Sequence, residues 1–215
     1  MRSSARKTAP RVRDGRVQRK NRWSSTPNNF GGIGVAIERR RPGSGFRHVV
    51  TQSDVFNFIQ MIPRWEQLSI WLNRIILDAG SRTRFGWFRY GTVALCAMPS
   101  NLIVGISREA FYRDVDFFDR VGIPYEFQSE EQRSANAHDP ELGSADVVCR
   151  FNLPQATCFH LTRTFLHELG HHVDRVSNRK GWCTRGEEFA ERFGRRLERE
   201  VWRAYVSCFG EPQAS

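Results

Sequence analysis

The run Thr164-Phe165-Leu166-His167-Glu168-Leu169-Gly170-His171-His172 sets two histidines four residues apart, with a glutamate directly after the first. On an α-helix, positions i and i+4 share a face, so His167 and His171 would present two imidazoles to one cation. Glu168 would lie beside that pair, within reach of a metal-bound water without being a ligand itself. In this HExxH pattern zinc lowers the pKa of the water and the glutamate serves as its base. With six His and fourteen Glu in 215 residues, independent placement yields about 0.01 such matches, so coincidence explains the run poorly. The bland alternative is a helix whose histidines are merely solvated or capped.

A catalytic zinc takes three protein ligands and keeps a position open for water. No histidine follows His172, which removes the HExxHxxGxxH pattern and leaves a carboxylate as the third ligand. Downstream, Arg185-Gly186-Glu187-Glu188-Phe189-Ala190-Glu191-Arg192-Phe193-Gly194 opens an amphipathic segment that continues through Leu197, Val201 and Tyr205. Glu187, Ala190, Glu191 and Gly194 fall on one face of it. The small side chains would allow close packing, so that Glu187 reaches the metal and Glu191 hydrogen-bonds a ligating histidine from outside the ligand set. Glu188 competes with Glu187 as third ligand, and helical phase with Glu191 favours Glu187.

HELGH followed by E-x-x-A-E on a later helix resembles the gluzincin class of zinc peptidases, and in particular the anthrax lethal factor catalytic domain and the Pro-Pro endopeptidases. ImmA/IrrE-type peptidases share HELGH and a downstream E-x-x-A-x-x-F segment, which Glu187, Ala190 and Phe193 also satisfy. The resemblance covers residues 164 to 194. It implies a zincin-like fold with His167, His171 and Glu187 as ligands, Glu168 as the base and Glu191 as an outer residue. One position departs: where the lethal factor group carries a transition-state tyrosine, this chain has Lys180.

Neighbouring residues carry two readings each. Asp174 either orients a ligand histidine from the second shell or is an exposed salt-bridge acid. His160, two turns before His167, either lines the cleft or is structural, the second being the better expectation. His172 should point about 100° away from His171 and not be a ligand. Cys183 either joins the zinc or is an ordinary thiol. Tyr90 and Tyr205 are oxyanion donors by residue type only.

These groups need a scaffold. Gln155 to Val176 predicts one long, mostly buried helix, from Phe159, Leu166, Leu169 and Val173 at helical spacing. Shorter helices are expected over Asp54 to Ile62 and Trp65 to Leu72, and another from the Ser107 N-cap towards Gly122. Arg74 to Leu77, Gly91 to Ala97 and Leu102 to Ile106 suit strands of one sheet, and Ala145 to Asn152 a further strand. Gln128 to Gly143 is polar and reads as a surface loop. The edge strand of a zincin, which holds substrate in extended form, is expected at Gly91 to Ala97 or Ala145 to Asn152.

The net charge of +10 would suggest nucleic acid if it were spread evenly. Residues 1 to 22 instead hold nine Lys or Arg against Asp14 alone, so they carry +8 and the remainder +2. This arm cannot bury enough apolar surface to order itself, and with the linker to residue 29 it is expected to be disordered. A solvated tail is the plain reading; a weak contact with nucleic-acid phosphates through residues 1 to 22 is the other. No apolar stretch suits a membrane span or secretory signal, and five cysteines without a CxxC pair suggest reduced thiols. A soluble, cytoplasmic protein is expected.

The sequence therefore predicts an α+β protein: one zincin-like domain over 30 to 215, its small mixed sheet packed on a metal-binding helix and a second ligand-bearing helix. The expected activity is zinc-dependent endopeptidase action on a protein or peptide substrate. The rival expectations are a catalytically weak or inactive zincin-fold regulator or binding module, tethered to nucleic acid by its arm, and a purely structural zinc.

Overall fold

The computed structural model describes residues 12–13, 16–17, 34–81, 83–139, 142, 145–178 and 185–213. Within the basic arm, β1 (Val12–Arg13) pairs antiparallel with β2 (Arg16–Val17). The rest of the arm and linker, Lys180 and Cys183 lie outside the described residues.

The described chain is a mixed α+β assembly of small sheets and helices. β3 (Ala36–Arg39), β5 (Arg74–Asp78) and β7 (Thr92–Cys96) run parallel, and β6 (Gly86–Arg89) closes the sheet antiparallel to β7, giving the order β3-β5-β7-β6. Parallel strands need a crossover, which α1 (Gln52–Gln60) and the single turn α2 (Trp65–Leu68) supply between β3 and β5. α1 starts at a reciprocal cap between Thr51 and Asp54. The hairpin from β6 to β7 turns at Tyr90 and Gly91, both at positive φ, as a tight two-residue loop of this hand requires.

A separate three-stranded antiparallel sheet places β11 (Val147–Arg150) between β10 (Tyr125–Phe127) and β9 (Ile103–Ile106). The short β4 (Phe46–Arg47) and β8 (Met98–Pro99) pair with each other. Two expectations are corrected here. Leu102 to Ile106 does not join the sheet of Arg74 and Thr92, and neither Gly91 to Ala97 nor Ala145 to Asn152 is an edge, since β7 and β11 each have a partner on both sides. Among the described residues the edge strand beside the helix of His167 and His171 is β6. Its aromatic Trp87 and Phe88 are strand-prone residues, but the alternation is too short to stand out.

α3 (Arg108–Val121) begins at Ser107, whose Oγ accepts from the Ala110 amide, and ends at Gly122, as expected. The expected loop after Gln128 instead contains α4 (Glu130–Ala135), because Ser129 and Gln132 form a capping box, followed by a 3-10 turn, Asn136–His138. The expected helix of 155 to 176 is continuous but not uniform. α5 (Leu153–Cys158) starts from a capping box between Asn152 and Gln155 and widens into a π-helical segment, Phe159–Phe165. It narrows again as α6 (Leu166–Ser177). π turns are rare and gather at functional sites.

α7 (Gly186–Phe209) buries Ala190, Phe193, Leu197, Val201 and Tyr205, one stripe at helical spacing, and packs chiefly on α6. Close packing needs small residues at the crossing: a Cβ on Gly170 would lie 2.8 Å from Ala190 Cα. The sheet's buried face, with Ile37, Ile75, Leu77, Val93 and Leu95, joins Phe58 of α1, Phe165 of the π-helical segment and Leu169 of α6 in one core. Among the described residues no helix is long and apolar enough to cross a membrane.

Candidate metal centre and cleft

α6 carries His167 and His171 one turn apart, and their Nε2 atoms are 3.1 Å from each other. α7 lays Glu187 across both: Oε2 is 3.2 Å from His167 Nε2 and Oε1 is 3.3 Å from His171 Nε2. One ligand atom from each of the three lies within 4.8 Å of the others. Two imidazole nitrogens and a carboxylate oxygen form a donor set suited to zinc. Glu187 is 76% exposed on its side chain, so the cluster opens to solvent on that side. Glu188 is 80% exposed and turned towards Arg192. The structure thus brings Glu187, not Glu188, to the histidines.

Glu168 is buried, and burial pushes its carboxyl up to about 7, with Glu187 adding to the rise and His167 and Arg84 opposing it. A cation on the three ligands would favour the carboxylate again. Burial also disfavours the His167 imidazolium, but the Glu191 bond and the charges of Glu168 and Glu187 outweigh it and hold that pKa above the ordinary value. His171 goes the other way, lowered by burial and by the charge of His167.

Behind the ligands, Glu191 Oε2 faces His167 Nδ1 at 3.4 Å. Its Oε1 accepts from Arg163 Nη2 at 2.9 Å and from Arg195 Nε at 2.6 Å. Although burial alone would raise its pKa, the His167, Arg163 and Arg195 bonds hold Glu191 far below the usual carboxylate range. Arg163 has a side chain only 9% exposed and also pairs with Glu198 and Asp114, so its charge is fully compensated inside the fold. Sequence reasoning missed Arg163; the signal was a lone cation in the apolar turns before His167.

Asp174 is a salt-bridge acid, as one of its two readings had it, but a buried one rather than an exposed one. It is buried, and its carboxylate accepts from Arg185 Nε at 2.8 Å, Asn178 Nδ2 at 2.6 Å and the Gly186 amide at 3.0 Å. The acid therefore fastens the first turn of α7 to the end of α6, one residue before Glu187. A carboxylate at a helix start also meets the positive end of the helix dipole.

His172 points away from the ligands, as expected, and its Nε2–H donates to the Ile70 carbonyl at 3.0 Å. His160 is buried among Phe85 and Phe159 with both ring nitrogens unpartnered, and burial pushes its pKa down to about 3. Tyr205 is packed in the core against Phe58, and Tyr90 is 75% exposed beside Arg175. Neither lines the cleft.

That cleft, about 320 Å³, runs from His167 and Glu168 under β6 to α3. Arg84, Phe85 and Gly86 form one side, and Arg113, Phe118 and Phe159 the other. Gly86 is required by the close approach of strand and helix: a Cβ there would lie 2.7 Å from Thr164 Cγ2 and 3.0 Å from Glu168 Cγ. Comparisons with protein-family models, with curated proteins and with solved structures found no match.

Proposed function

We propose that this protein is a zinc-dependent endopeptidase of the gluzincin type on a zincin-like fold. The observation that carries the proposal is the convergence of His167, His171 and Glu187 next to a buried carboxyl, Glu168, at the mouth of a cleft. Metal binding alone gives no reason for Glu168, and a structural zinc would close all four positions with His and Cys.

A zinc ion held by the three ligands would supply Lewis acidity to a water and to the scissile carbonyl. The protein's own part follows from its geometry. Glu168, held in a poorly solvated position beside the three ligands, accepts the proton of the attacking water and returns it to the leaving amine. Glu191 fixes the His167 ring through Nδ1, so that Nε2 faces the cation. β6 has a partner on one side only, and its other edge offers backbone hydrogen bonds to an extended peptide lying over Glu168. The described cysteines, Cys96, Cys149, Cys158 and Cys208, are free thiols, which suits a cytoplasmic setting.

Elemental analysis of wild type, Glu187→Ala and Glu188→Ala proteins, combined with peptide cleavage by wild type and Glu168→Gln, tests the reading. The expected result is near-stoichiometric zinc lost only in Glu187→Ala, and cleavage lost in Glu168→Gln with zinc retained. A wild-type protein that takes up no zinc after reconstitution would overturn it.

A further inference from the structure

The chemistry of the cleft narrows the substrate, on the proposed reading of the site as a peptidase. Beyond Glu168 the floor is apolar: Phe85 and Phe159 meet edge to face at 4.9 Å, Phe118 stacks on Phe159, and Ile106 and Ala110 continue the surface. Ligand pockets run from about 300 Å³ upwards, so this one suits a large side chain rather than a folded element.

Charge decides the rest. The carboxylates that face the cleft from α3 and α7, Asp114 and Glu191, are matched by Arg163 and Arg195. Two further guanidinium groups border it. Arg84 is bonded to the Cys96 thiol, which burial keeps protonated, and its charge also acts on the Glu168 carboxyl, which lines the same cleft. Among the described residues the Arg113 guanidinium pairs with Glu109, at 3.8 Å and with the acid 90% exposed, a pair worth little in water. The cleft is therefore an apolar pocket with a cationic rim.

We infer that the substrate is an extended peptide that places a large apolar side chain in this cleft and an Asp or Glu side chain beside it, between Arg84 and Arg113. A side-chain carboxylate fits better than a chain-terminal one, because β6 continues past the cleft to Arg89 and a paired peptide would continue with it.

Cleavage-site profiling of zinc-loaded full-length protein on a proteome-derived peptide library tests this. Binding of fluorescein-labelled Phe-Asp and Phe-Asn peptides to Glu168→Gln protein adds a readout independent of turnover. The expected profile has Phe, Leu or Met at one position and Asp or Glu next to it. Asp should be favoured over Asn by ~10-fold in both cleavage and binding. Arg113→Glu should reverse the charge preference, and Ala110→Leu, which shortens the pocket, should shift the apolar preference to smaller side chains. Cleavage without these preferences, or preferences that Arg113→Glu leaves unchanged, would overturn the inference while the peptidase reading stands. Loss of binding on amidating the peptide's C-terminus would overturn it in favour of a terminal carboxylate. A zinc-loaded protein that cleaves no peptide would overturn the peptidase reading and this one with it.

Discussion

Glu191 Oε2 stands 3.4 Å from His167 Nδ1, while the other oxygen of the same carboxylate is gripped by Arg163 and Arg195. The carboxylate is thus a relay between a buried charge cluster and the His167 ring of the proposed metal site. Outer partners of this kind commonly set metal affinity by ~10–100-fold. Glu191→Gln should lower zinc affinity by that order while leaving the fold intact, as measured by chelator competition alongside circular dichroism. Unchanged affinity would reduce Glu191 to a surface ion-pair partner.

Asp174 makes a second, mechanical link between the helices. Asp174→Ala leaves the Gly186 amide and the Arg185 guanidinium without their acceptor, and a stability loss of ~1–3 kcal/mol is expected by denaturant melting. Because Glu187 follows directly, zinc affinity should fall as well, although no ligand is altered. Retained affinity in Asp174→Ala would show that α7 is held in place by its apolar stripe alone.

The crossing at Gly170 leaves no room for a side chain. A Cβ there would press on the backbone of Ala190, including its carbonyl oxygen at 2.9 Å, which no rotamer change relieves. Gly170→Ala should therefore cost ~1–3 kcal/mol in thermal or chemical unfolding. A neutral substitution would mean that the helices separate without penalty.

His160 gives a pH dependence with a defined sign. Its pKa in the fold is about 3, against 6.5 for the free group, so the unfolded chain binds the proton first. Above 6.5 both states hold the neutral ring, and stability does not change with pH through this site. As pH falls from there towards 3, the folded state loses ~1.4 kcal/mol per pH unit from this site. His160→Met should flatten the upper part of the acid limb, between the free values of histidine and glutamate, when unfolding free energy is followed against pH. Equal slopes for both proteins would place the acid sensitivity elsewhere.

Sequence patterning reached the helix that carries His167 and His171, the phase of α7 and the placement of Glu187 rather than Glu188 beside the histidines, because a period of three to four residues directly states which side chains share a face. It failed where position depends on partners far along the chain. The identity of the edge strand is a property of sheet order, and Gly86 to Arg89 carries no mark of lying outside β7. The burial of Asp174 was missed for a similar reason: its carboxylate accepts from Arg185 and Gly186, which lie on the next helix start rather than one turn away. The capping box at Ser129 was legible and was outweighed by the polarity of its surroundings.

The π-helical stretch of residues 159 to 165 makes the metal site a matter of counting as well as chemistry. Each residue advances an α-helix by about 100°, and a π turn holds about one residue more than an α turn, so relaxing the widened turns to α geometry at constant length would turn His167 and His171 off the cleft by about that angle. The two imidazoles would still be spaced to share a cation, but facing a different neighbour from Glu187. The width of these turns and the length of the stretch are therefore coupled: α geometry would keep the two histidines on the cleft only with one residue fewer.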